Sequence, residues 1–238
     1  MVKNSQHFLV LPFPLVVVLS LAIPSMKNPF LKIILVSISA AILAAVTHAQ
    51  GQANESSILY IDQMDNSYTN AMGGRNSTYM QAPSSVSFSK SGKYGRGKKN
   101  PALKIKYNKK NTGGPRDDGG FCGFYTIVKT GKNGYLDASA YQYLTFWVKG
   151  KTGNERFKVG ASDQMWEKLD DSFKSQEVGN YLPAGKITTD WQLATIPTEE
   201  FFIDWELLNA LAICFEADIF EDGSGKGVVF IDDIALRK

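Results

Sequence analysis

The run Tyr143-Leu144-Thr145-Phe146-Trp147-Val148-Lys149-Gly150 restricts the fold of this chain more than any other stretch. Successive side chains of a strand leave opposite faces, so Leu144, Phe146 and Val148 share one face and Tyr143, Thr145, Trp147 and Lys149 the other. The first set needs a core to cover it, while the second is half wet. No stripe of period 3.6 with comparable clarity occurs after residue 50, so this part of the chain reads as all-β, an antiparallel β-sandwich.

Two apolar runs, Phe8 to Ile23 and Ile33 to Val46, come before it. The second has the layout of a secretory signal: a short basic region from Met26 to Lys32, an apolar stretch, and the small-x-small site Thr47-His48-Ala49. Cleavage after Ala49 is expected, which makes 1-49 a leader with its signal at 26-49. Met26 can open that signal unaided, so residues 1-25 read as the product of an upstream start. The rival reading, a membrane anchor at Phe8 to Ile23, has only about 16 residues, includes Pro12 and Pro14, and is short for a bilayer. Residues 50-57 read as a polar linker and 58-238 as one domain, large enough to carry its own core. No stable membrane span is expected in the mature form.

The chain has 26 Lys and Arg against 23 Asp and Glu; Lys3, Lys27 and Lys32 fall in the acid-free leader, which leaves 23 of each sign. The mature part therefore has no net charge that would attract nucleic acid, and no nucleic-acid partner is expected. A local basic cluster remains from Lys90 to Lys110, but no aromatic pattern accompanies it within that stretch, so it reads as solvated strands and loops. Both histidines, His7 and His48, lie in the leader. A mature chain without histidine cannot run Ser-His-Asp or Cys-His catalysis, nor build the usual zinc sites. Cys122 and Cys214 sit in apolar runs, and export permits a disulfide between them without requiring one.

Along the mature part, strands are expected at Ile58 to Asp65, Ser85 to Ser89, Ala102 to Tyr107, Gly120 to Lys129, Phe157 to Asp163, Asp190 to Pro197, Leu211 to Glu216 and Gly227 to Leu236, besides the opening run. A Gly-rich turn lies at Asn70 to Arg75, a long polar excursion at Gln164 to Gly179, and a connection with one helical turn at Thr198 to Leu208. Trp191 and one of Phe146 or Trp147 are expected in the core, because tryptophan among aliphatic strand neighbours is usually buried.

Several motifs occur in a fixed order: Asp62-Gln63-Met64-Asp65, Asn70-Ala71-Met72-Gly73-Gly74-Arg75, Asp137-Ala138-Ser139-Ala140-Tyr141 with Leu144 to Gly150, Asp190-Trp191-Gln192 with Ile196-Pro197, and Ile231-Asp232-Asp233-Ile234-Ala235-Leu236. Together they resemble the galactose-binding-like jelly rolls. Within these the chain is similar to carbohydrate-binding modules of glucanases and to the complex I intermediate-associated protein family. The resemblance covers Ile58 to Lys238 and departs at the end of the first strand, where such modules often have two acids, a Phe and a Glu. It implies an exported, non-catalytic polysaccharide- or oligosaccharide-binding protein. The alternative on the same fold is a protein-interaction or assembly factor recruited to another exported protein, and a jelly-roll lyase or glycosidase ranks below both.

A structural calcium ion is expected near the junction of the first and last strands, where Asp62, Asp65, Asp232 and Asp233 would supply carboxylates and a loop such as Ser91 to Gly95 carbonyls. The resemblance favours Asp65 and Asp233 as its ligands. A sugar ring offers an apolar C–H face and a rim of hydroxyls, so a lectin surface needs aromatics beside groups that donate and accept hydrogen bonds. Asp163, Gln164, Trp166, Glu167, Asp170 and Asp171 supply that mixture where a strand enters the excursion. Tyr181, Tyr125 and Arg75 are candidates to join them. Trp166 is the leading residue, and its alternative is a lid folded back over the end of the sandwich.

Overall fold

A computed structural model of the chain describes residues 57–65, 68–97, 101–114, 119–128, 130–131 and 134–238. The segment expected to be a leader, 1-49, its expected cleavage site and residues 50-56 of the expected linker lie outside the described residues. Among the described residues no helix is long and apolar enough to cross a membrane.

The described strands are β1 (Ile58–Asp62), β2 (Asn76–Met80), β3 (Ser85–Ser91), β4 (Ala102–Lys109), β5 (Cys122–Ile127), β6 (Tyr143–Gly150), β7 (Lys158–Asp163), β8 (Phe173–Glu177), β9 (Gln192–Pro197), β10 (Leu208–Phe215) and β11 (Gly225–Arg237); one short helix, α1 (Gln164–Lys168), follows β7. They form two antiparallel sheets. The six-stranded sheet runs β3-β4-β11-β6-β9, with β1 also on β11, and the five-stranded sheet runs β2-β5-β10-β7-β8. The architecture is an all-β jelly-roll sandwich, as the alternation requires.

The core lies between the sheets. From β6, Leu144, Phe146 and Val148 point into it, and from the opposite sheet Phe124, Val159, Leu211, Ile213 and Phe215 meet them. Its aromatics touch in a chain: Tyr107 stacks on Phe215 at 3.7 Å between centroids, Phe215 meets Phe157 edge-on at 6.3 Å, and Phe157 meets Phe146 at 6.2 Å. Phe146 is in the core as expected. Trp147 and Trp191 are half-buried on the outer face of the same sheet. For Trp191 this corrects the expectation: it stands just outside β9, and Lys149 rests over its half-buried ring at 4.9 Å.

β11 contains the Asp232-Asp233 pair for a local reason. Its register with β6 jumps from Asp232↔Trp147 to Ala235↔Thr145, so one residue is extra, and Asp233 takes it with φ of 48°. Aspartate tolerates this left-handed conformation better than most residues, and a bulge shifts the alternation by one. Inward positions therefore pass from Val229 and Ile231 to Ile234 and Leu236.

Three readings change. β2 and β8 were not expected, because Asn76-Ser77-Thr78-Tyr79-Met80 and Phe173-Lys174-Ser175-Gln176-Glu177 are edge strands with little apolar alternation. α1 fills the start of the excursion. The cysteines are free and buried. Cys122 pairs with Phe215 and Cys214 with Gly123, so their side chains leave opposite faces of adjacent strands and cannot bridge.

Candidate functional site

The outward face of the five-stranded sheet has a floor of small residues. Reading across it, one row is Ser77, Tyr125, Ala212, Gly160 and Lys174, and the next is Tyr79, Gly123, Cys214 and Lys158. Directly paired residues of an antiparallel sheet point the same way, so each row leaves the outer side of the sheet together, although Gly123, Gly160, Ala212 and Cys214 are buried there by the larger groups around them. Ala, Gly and Cys on the central strands leave the backbone low, Tyr125 and the lysines rise at the sides, and Tyr79 folds across from the edge strand. The glycines are required by close approach. A Cβ on Gly123 would lie 2.3 Å from the Tyr79 ring, and one on Gly160 would lie 2.5 Å from Ser172 Oγ. Tyr79 thus lies flat over the floor, where burial holds its phenol well above the ordinary value, and Cys214 beneath it is pushed up to about 12 by burial.

Polar groups border the floor. The turn before β2 is held by Asn70, whose Oδ1 accepts from Met72 N and Gly74 N at 3.0 and 2.8 Å, and this turn delivers Arg75 to the same face. Arg75 donates to Ser77 Oγ at 3.3 Å. Past Cys214 comes Glu216, half-buried, whose carboxyl is raised above the usual range by burial and partly restrained by Lys174. Lys174 pairs with Asp171, and Lys158 with Asp218 at 2.5 Å.

The residues expected at the glycan site separate into three places. Arg75 and Tyr125 are on this face. Asp163 is 5% exposed and caps α1: Oδ1 accepts from Met165 N and Trp166 N at 2.8 and 2.9 Å, and Oδ2 accepts from Asp204 N at 2.8 Å. Gln164 and Trp166 lie on α1, at the end of β7. The Trp166 ring packs edge-on against Phe173, with centroids 6.0 Å apart, and its indole N–H reaches Phe202 O at 3.4 Å, so the ring is half-buried over the sandwich edge. Glu167 accepts from Tyr135 Oη at 2.7 Å, and Asp171 pairs with Lys174. Tyr181 stands apart, donating to Glu200 Oε2 at 2.8 Å. Sequence reasoning missed Ser77, Tyr79, Lys174 and Glu216. The one available signal was the alternation of Arg75, Ser77 and Tyr79 through an otherwise polar strand.

Three of the four acids expected to hold calcium are engaged by basic side chains. Asp62 Oδ1 accepts from Met64 N at 2.7 Å, and its Oδ2 accepts from Asn76 Nδ2 at 3.0 Å and Lys90 Nζ at 2.6 Å. Both partners of the Asp62–Lys90 pair are 2% exposed, and burial lowers the Lys90 pKa against the pull of Asp62. Arg96 reaches Asp232 Oδ2 at 3.4 Å and pairs with Asp233. Asp65 is exposed beyond β1. Among the described residues no three acid, cysteine or histidine side chains gather as a metal site, and this arrangement does not fit a divalent ion with Asp62 and Asp232 as ligands.

The model of the family described as Carbohydrate binding domain 30 matches residues 57–238. No curated protein matches the sequence. In fold the chain is similar to the family 11 carbohydrate-binding module from Clostridium thermocellum solved with a β-1,3-1,4-mixed-linked tetrasaccharide, with a TM-score of 0.53 and 12% identity over 76% of this chain and 95% of that one. It is also similar to the family 30 carbohydrate-binding module of the cellulosomal cellulase Cel9D-Cel44B of Clostridium thermocellum, with a TM-score of 0.53 and 18% identity over 76% of this chain and 97% of that one. At such identities the structural likeness concerns the fold, and it agrees with the family match, which spans the whole described sandwich. The chain belongs to the carbohydrate binding domain 30 family and is a carbohydrate-binding module.

Proposed function

We propose that this module is exported and binds an extended, neutral β-glucan along the outward face of the five-stranded sheet, without catalysing its cleavage. The carrying observation is an outer face whose central strands carry small residues, Gly123, Ala212 and Gly160, so that Tyr79 can lie flat across it with Tyr125 beside it and Lys174 at the far edge. Tyrosine offers a ring face to the C–H side of a sugar and a hydroxyl to its rim, at small conformational cost. Arg75, Ser77, Lys174 and Glu216 then supply donors and acceptors for the hydroxyls. The mixed-linked tetrasaccharide of the family 11 neighbour supports a β-glucan as the ligand class. Asp163 has both oxygens committed to backbone N–H groups, which argues against its use as one of a hydrolytic acid pair.

Affinity electrophoresis in mixed-linkage β-glucan tests this reading. Retardation of the wild type, strongly reduced in Tyr125→Ala with an unchanged circular dichroism spectrum, is expected. No retardation of the wild type in any neutral glucan would refute it.

A further inference from the structure

The opposite outer face, on the six-stranded sheet, has a different chemistry. Lys104 on β4, Phe230 on β11 and Lys149 on β6 form one cross-strand row. In the next, Lys106 pairs with Val228, whose carbonyl accepts from the Lys151 N–H. The lysine heads rest on rings. Lys104 Nζ is 5.2 Å from the Tyr94 ring, Lys149 Nζ is 4.9 Å from Trp191 and 5.4 Å from Phe230, and Tyr94 packs on Phe230 at 5.2 Å. Among the described residues none of Lys104, Lys106, Lys149 and Lys151 is in an ion pair. The acids of this face, Asp232 and Asp233, are taken by Arg96, which lies 4.3 Å over Trp147. The same face opens into a cleft of about 510 Å³ lined by Lys106, Lys110, Lys151 and Lys226. The acid in that lining, Glu155, is buried, and its Oε1 accepts from Thr152 N and Oγ1 at 2.9 Å each.

Within the basic stretch that reads as merely solvated in the sequence, Lys104 therefore lies over Tyr94 of the same stretch and Arg96 over Trp147 of β6. Two ammonium groups held over rings, Lys104 and Lys149, beside the cleft lysines Lys106, Lys151 and Lys226, none of them in an ion pair among the described residues, are organised for repeated negative charges on a partner. A neutral glucan would leave them unused. Stacked nucleobases would need open ring faces, yet cations already lie over Tyr94, Trp147, Trp191 and Phe230.

We propose that this face is a second binding surface, for an acidic polysaccharide whose rings carry carboxylates. Lys104 and Lys149 would meet carboxylates in the aromatic row, and Lys106, Lys151 and Lys226 would meet them at the cleft. The surface lies on the other side of the sandwich from the proposed glucan site, so the two can be separated by mutation.

The test is affinity electrophoresis of the wild type and of Lys106→Gln/Lys151→Gln in polygalacturonate, in mixed-linkage β-glucan and against single-stranded oligodeoxythymidine, with circular dichroism of both proteins. The proposal expects polygalacturonate retardation that declines with added salt and weakens roughly tenfold in the double variant, since exposed charge pairs are screened and each is worth little alone. Retardation in β-glucan should be the same for both proteins. Lys149→Gln, on the other row, should weaken polygalacturonate binding as well. Absent polygalacturonate binding, binding unaltered in both variants, or a clear preference for the oligonucleotide would overturn the proposal. Failure in β-glucan alone would count against the neutral-glucan reading and leave this one standing.

Discussion

The two outer faces of this sandwich are built by the same alternation, yet they carry different residues. On the five-stranded sheet the central strands send out Ala210, Ala212 and Cys214 beside Gly123 and Gly160, and the larger groups stand at the flanks. On the six-stranded sheet the central strands send out Lys104, Phe230, Trp147 and Lys149. One face is low in the middle and close to neutral, the other raised and basic. The contrast teaches that a strand's inward residues secure the sandwich and its outward residues are left to choose a ligand.

The sharpest way to break the comparison is to step between neighbours on β6. Phe146→Ala should cost about 3–5 kcal/mol in urea denaturation, because the site is filled and fully buried. Trp147→Ala should cost clearly less, since that ring already faces out; equal losses would mean that the two sides of β6 are not distinct. Next in size is the pair joining both sheets, with Lys90 on β3, Asp62 on β1 and Asn76 on β2. Lys90→Met should destabilise by about 3–5 kcal/mol by stranding a buried carboxylate, and adding Asp62→Asn should restore most of it. A double variant as unstable as the single would show that the charge is not the cause.

A smaller effect separates the faces. Gly123→Val would drive a side chain into the Tyr79 ring, at roughly 1–3 kcal/mol by overpacking. It should abolish β-glucan retardation while polygalacturonate retardation persists. Smaller still is the titration of Glu216. Burial raises its carboxyl above 4.5, so the folded state holds the proton more tightly than the unfolded chain. That contribution is present below pH 4.5 and lost as pH rises through the raised value, and the Glu216→Gln variant should lack this decline in urea midpoint. The smallest expected change is none. Because Lys90 already engages Asp62 and Arg96 engages Asp232 and Asp233, the thermal midpoint should be the same in excess chelator and in millimolar calcium.

Most of the fold was legible in the sequence because inward residues are apolar and regularly spaced. Leu144-Phe146-Val148 and Leu103-Ile105-Tyr107 state their own register. The edge strands were not legible, since β2 and β8 bury little and their hydrogen bonds come from neighbours distant in sequence. The bulge was half legible: the inward series passes from Val229 and Ile231 to Ile234 and Leu236, a break in parity that Asp233 explains. The candidate site suffered most. Trp166 on a polar segment looked like a platform, yet its surroundings, Phe173 and Phe202, depend on how β8 and the chain after β9 return to α1. Conversely, the basic residues from 90 to 110 looked isolated because two of their ring neighbours, Trp147 under Arg96 and Phe230 across from Lys104, come from β6 and β11.

The central claim is that the neutral-glucan site lies on the face bearing Tyr125. Isothermal titration of a mixed-linkage β-glucan oligosaccharide into the wild type, Tyr125→Ala and Lys149→Gln tests it most directly. The account predicts binding by the wild type and by Lys149→Gln with equal affinity, and a loss of about tenfold or more in Tyr125→Ala, which would remove one stacking surface. Unchanged affinity in a folded Tyr125→Ala, with weakened affinity in Lys149→Gln, would place the glucan on the other face and contradict it.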